Sequence, residues 1–117
     1  MEFAEFERLV SEAIDALPAH VSSELDNVAF LVEPESPDGD LLGEYIGVPR
    51  TERIASDPLE LPDRIVLYHA DIVDECDGDA AAIKTEIERT LWHEIAHHLG
   101  WDDDVVEEVE RQKGWRE

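Results

Sequence analysis

The stretch TLWHEIAHHLGWDDD, residues 90–104, holds three histidines and four carboxylates. On an α-helix His93 and His97 stand about 40° apart and one turn along, so both imidazoles can reach a single ion. Glu94 falls beside that pair, where its carboxylate can touch a water bound to the ion. Two imidazole ligands and a general base on one rigid element are the parts that metal-assisted hydrolysis needs. A zinc site that keeps one position open for water takes a third protein ligand. Asp102, Asp103 and Asp104 lie just past the turn that Gly100 can supply, and each is chemically competent.

A helix must carry these groups, and its apolar side is legible. At 100° per residue Ile83, Ile87, Leu91, Ile95 and Leu99 fall on one stripe. His98 projects near the middle of that stripe and is expected to face the core, whereas His93 and His97 lie to one side of it, facing a cleft. Asp79 is placed to cap a helix running from about residue 80 to 99, and Gly100 to stop it.

Upstream, FAEFERLVSEAIDAL (3–17) spaces its apolar residues as a helix, which Pro18 ends. NVAFLVE (27–33) reads as a short strand, and LLGEYIGVPRTER as a loop or interrupted strand. DRIVLYHADI (63–72) is the best strand in the chain, and VDECDGD after it reads as a turn. DDDVVEEVERQK offers aspartates to cap a short last helix. With no repeats and no long linkers, residues 1–117 are expected to form a single α+β domain: an N-terminal helix, a short mixed sheet, the histidine helix and a short C-terminal helix.

Composition bounds the setting. Thirty-one acidic residues against nine basic ones give a net charge of −22, and the only lysines are Lys84 and Lys113. In dilute buffer such self-repulsion opposes the compact state. At molar salt the Debye length is about 3 Å and most of the penalty is screened. Acids spread along the whole chain therefore suit a halophilic, salt-loaded cytoplasm. Nothing here could neutralise phosphates, so nucleic acid is not expected as a partner. No apolar stretch approaches membrane-spanning length, so no membrane partner is expected either. The single cysteine, Cys76, cannot form an intramolecular disulfide, and Asp74, Glu75, Asp77 and Asp79 around it should raise its pKa and make it a poor nucleophile. Self-repulsion also favours a monomer.

HEIAHHLGWDD resembles the extended zincin signature H-E-x-x-H-x-x-G-x-x-[H/D], in which the last position completes the zinc site. It is especially similar to the minimal zincin-like metallopeptidases, small single-domain prokaryotic proteins. GEYIGVPRTER and LPDRIVLYHADI also resemble that family's upstream segments, so the resemblance covers most of the chain from about residue 27. It implies His93, His97 and Asp103 as metal ligands, Glu94 as the base and Gly100 as the turn. The only methionine is Met1, which leaves no residue for the methionine turn of the metzincins and points to the smaller family.

The expected function is that of a zinc-dependent peptidase or amide hydrolase with one Zn²⁺ per chain, acting on short or flexible peptides. The alternative is a non-catalytic binding module whose metal site is structural or vestigial. RIVLYHADI is the expected sheet edge on which an extended peptide would add as a strand. Tyr68 and His69 are candidate oxyanion donors, and Glu44, Tyr45 and Arg53 are candidates to line the cleft.

Overall fold

The structure, a computed structural model, describes residues 1–47 and 62–115, with Asp103 described in its backbone alone. Helices α1 (Phe3–Asp15) and α2 (Ala19–Ser22) lead into strands β1 (Val28–Glu33), β2 (Gly43–Ile46) and β3 (Asp63–Tyr68). Helices α3 (His69–Glu75), α4 (Ala80–Leu99) and α5 (Asp103–Gln112) complete an α+β fold. Among the described residues no helix is long and apolar enough to cross a membrane.

The sheet order is β1-β3-β2. β3 runs parallel to β1, from Val28 opposite Asp63 to Glu33 opposite Tyr68, and antiparallel to β2, from Gly43 opposite Leu67 to Ile46 opposite Arg64. The expectation that RIVLYHADI forms an edge is therefore wrong. β3 is the middle strand, hydrogen-bonded on both sides, and its near-continuous burial is what a central strand requires. Among the described residues the edges are β1 and β2, and β2 is the edge that packs on α4.

The strand is also shorter than DRIVLYHADI suggested, because its partners run out. β1 stops before Pro34, whose carbonyl instead accepts the Ala70 N–H at 2.9 Å. The chain turns into α3, which sends Ile72 into the core, and Asp71 accepts the Ser36 N–H (2.9 Å) and hydroxyl (2.6 Å). Burial works against the charged form of Asp71, but those bonds outweigh it and hold the carboxyl below its ordinary pKa. Helices α2 and α3 are additions to the expected order. Pro18 does not merely end α1; it occupies the N-cap position of α2.

The core joins Phe6 and Val10 of α1, Ile65 and Leu67 of β3 and Ile72 of α3 to the stripe Ile83, Ile87, Leu91, Ile95 and Leu99 of α4. Asp79 caps α4 by accepting the Ala82 N–H at 2.9 Å, and Gly100 ends it in the left-handed conformation at φ 74°. Gly43 lets β2 approach α4 closely: a Cβ there would lie 2.5 Å from the Thr90 Cγ2 and 3.0 Å from the Val66 carbonyl oxygen. That approach brings the sheet edge beside the third turn of α4, where the chemistry-bearing residues begin.

Candidate metal centre

The last two turns of α4 put His93, Glu94 and His97 together, with one ligand atom from each within 4.8 Å of the others. The two imidazole centroids are 4.5 Å apart at an interplanar angle of 63°, and His97 Nδ1 lies 3.1 Å from Glu94 Oε1. Both histidines are exposed, whereas Glu94 is only 4% exposed. The contrast follows from the helix: Glu94 is on the side turned to β2, and the imidazoles are on the side turned to solvent.

Burial first, and then the charge of Glu44, push the Glu94 carboxyl up to about 7. Glu44 lies on β2 and is held by the hydroxyl of Tyr68, which donates to its Oε2 at 2.8 Å. Burial and that carboxylate in turn raise Tyr68 to about 12, so its hydroxyl stays a donor. Tyr68 is thus committed to Glu44. His69 is taken up elsewhere: its Nε2 is 2.8 Å from the Met1 carbonyl oxygen and its ring meets Phe3 and Phe6 edge-on. Neither is aligned by these contacts as an oxyanion donor.

A cleft of about 270 Å³ runs beside the cluster, with Leu42 and Gly43 on the β2 side, Arg89, Thr90, His93 and Glu94 on α4, and Glu110 of α5 completing it. Of the loop residues expected to line it, neither Glu44 nor Tyr45 does: Glu44 acts on Glu94 through its charge, and Tyr45 stands edge-on to His97, with ring centroids 6.5 Å apart. Arg53 lies outside the described residues. So does the side chain of Asp103, whose backbone opens α5 directly after the Gly100 turn; Asp102 and Asp104 on either side of it are exposed. The thiol of Cys76 is raised by burial and by Glu86, Glu75, Asp79 and Asp77, the direction its acidic surroundings implied.

The donor set suits a borderline divalent ion. His93 and His97 offer two imidazole nitrogens and Glu94 a carboxylate oxygen, all within 4.8 Å of one another, the nitrogen and oxygen donors that zinc accepts.

One group escaped the sequence. Asp63, at the start of β3 and 3% exposed, accepts the Tyr45 hydroxyl at 2.5 Å and His98 Nδ1–H at 2.7 Å on the same oxygen, Oδ2. The position of His98 on the apolar stripe signalled a buried imidazole in need of a partner. Nothing local could say that the partner would come from the other end of the sheet.

The sequence pattern of the zincin-like metallopeptidase family matches residues 25–114. Among solved structures, the chain is similar to a conserved hypothetical protein from Thermo thermophilus, at 24% identity and a TM-score of 0.60. The match covers 85% of this chain and 94% of that one, and at that identity it shows a shared fold. No curated protein matches significantly.

Proposed function

The chain belongs to the zincin-like metallopeptidase family, and we propose that it is a zinc-dependent peptidase in which Glu94 is the general base. The observation that carries this reading is a carboxylate withdrawn from solvent beside two exposed imidazoles, all within reach of one ion. His93 and His97 would hold the metal, with Asp103 as the third ligand. When bound, zinc supplies a water of lowered pKa and polarises the substrate carbonyl.

The chain's own residues account for the rest. Glu94 takes the proton of the attacking water on its carboxylate and returns it to the leaving amine. Burial and the Glu44 charge both favour its protonated form, which helps the carboxylate take up that proton. β2 is the sheet edge beside the cleft, and an extended peptide laid along it would meet the cluster. A cleft this small and open suits short or flexible peptides.

The test is Glu94→Gln, assayed on a peptide library in molar KCl with metal content measured alongside. Loss of turnover by roughly 10²–10⁴-fold with metal retained is the expected result. Unchanged turnover, or a wild-type protein that takes up no zinc, would sink the peptidase reading; a bound metal with a silent Glu94→Gln would mark a structural site.

A further inference from the structure

Asp63 bonds both Tyr45 on β2 and His98 on α4. The contact is tight on a third side too, since a Cβ on Gly47 would fall 2.5 Å from the Asp63 Cγ and Oδ1. His98 is 1% exposed, and its Nε2 is buried with no hydrogen-bond partner among the described residues. Its Nδ1 meets Asp63 Oδ2 at 2.7 Å and its Nε2 meets nothing among them, so Asp63 is the polar anchor of that ring. A buried carboxylate and imidazole are expensive to desolvate, and apolar residues of like volume would pack a core at least as well.

What the arrangement does accomplish is geometric. His98 follows His97 directly on the last turn of α4, and the Tyr45 ring stands edge-on to both, with centroids 6.5 Å from His97 and 5.9 Å from His98. One carboxylate therefore pins the end of the helix that carries His97 and, through a hydroxyl, the aromatic ring that flanks the His97 imidazole. Free of it, the last turn beside the Gly100 stop could fray and the Tyr45 ring could turn away.

We propose that Asp63 is a positioning residue for the metal centre, fixing His97 from behind by holding Tyr45 and His98 at once. This rests on His97 being a metal ligand, and the experiment separates the two claims. Zn²⁺ affinity is measured by chelator competition for wild type, Asp63→Asn and Tyr45→Phe, well below each melting temperature. Ile72→Ala serves as a control that destabilises the core away from the site. Histidine ring ¹H–¹⁵N spectra are recorded on the metal-free proteins.

The expected result is affinity weakened about tenfold or more in Asp63→Asn, weakened in the same direction in Tyr45→Phe, and unchanged within about twofold in Ile72→Ala. The His97 ring resonances should move in both site variants. A merely structural Asp63 would lower the melting temperature and leave affinity and ring resonances alone, which overturns the proposal. Should Asp63→Asn fail to fold, Tyr45→Phe decides on the same readouts. A wild type that binds no zinc defeats the metal reading by itself; unshifted His97 resonances in the variants then defeat the positioning claim as well.

Discussion

Glu44 of β2 and Glu94 of α4 oppose one another: the charge of the first adds to the burial of the second and lifts the Glu94 carboxyl to about 7. A sheet residue and a helix residue, each acidic, have been brought together where both cannot be ionised cheaply. Such a site is easier to build around a cation than without one.

The metal-free protein should therefore lose stability as pH rises. Glu94 binds its proton more tightly when folded (about 7) than at its ordinary value of 4.5. The associated stabilisation is fully present below about pH 4.5 and is lost as pH passes about 7, with an upper bound of about 3 kcal/mol. Glu94→Gln, which cannot ionise, should raise the stability of chelated protein at pH 8 and leave it nearly unchanged at pH 5. Urea unfolding in molar KCl with chelator checks this; an equal effect at both values would sink it.

Gly43 should tolerate no side chain. Gly43→Ala forces a Cβ against Thr90 Cγ2 and the Val66 carbonyl, and the expected loss is roughly 1–3 kcal/mol with a displaced cleft wall. Thr90→Ser removes the methyl that clashes most. The double variant should recover part of the loss in thermal unfolding, and simple additivity of the two changes would contradict the assigned clash.

The docking of α5 on α4 bears on the site and can be followed by fluorescence. All three tryptophans gather at that contact: Trp92 stacks on Trp101 with centroids 6.2 Å apart, and the Lys113 Nζ lies 4.7 Å from the Trp92 ring and 5.5 Å from Trp115. Lys113→Ala should cost roughly 0.5–1 kcal/mol and shift tryptophan emission to the red as the cluster opens to water. An emission spectrum identical to wild type would mean that the lysine holds nothing.

Stability should rise steeply with KCl. A chain of net charge −22 repels itself at low ionic strength, and screening within about 3 Å at 1 M salt removes most of that penalty. Melting temperatures between roughly 0.1 and 3 M KCl test this against an equal series in sucrose, which does not screen charge. Equal gains in the two series would remove charge screening as the cause.

The helix was legible because its information is local. His93, Glu94 and His97 are fixed by spacing, the stripe from Ile83 to Leu99 by period, and the cap and stop by Asp79 and Gly100. The sheet was not, because strand order is decided by pairings between segments far apart in the chain. DRIVLY announced a strand truly but could not announce that both its flanks would be taken. α3 was hidden because HADI follows the β-prone run DRIVLY with no turn residue between, and the strand stops only where β1 ends at Glu33 and β2 begins at Gly43. The Asp63–His98 pair was invisible for the same reason as the strand order: its members lie in different elements and meet only when β3 docks on α4.

The sheet order also sets a sequence of events in assembly. α4 closes its own hydrogen bonds between near neighbours, so its turns can form on the submicrosecond scale. β3 must wait for loops to close before Val28 can meet Asp63 and Gly43 can meet Leu67, and such non-local pairing is slow. A nascent α4 thus presents its two imidazoles while Glu94 is still bathed in water, with neither Glu44 beside it nor β2 over it. The raised pKa of Glu94 is therefore a property of the assembled sheet and helix together, absent from the helix alone.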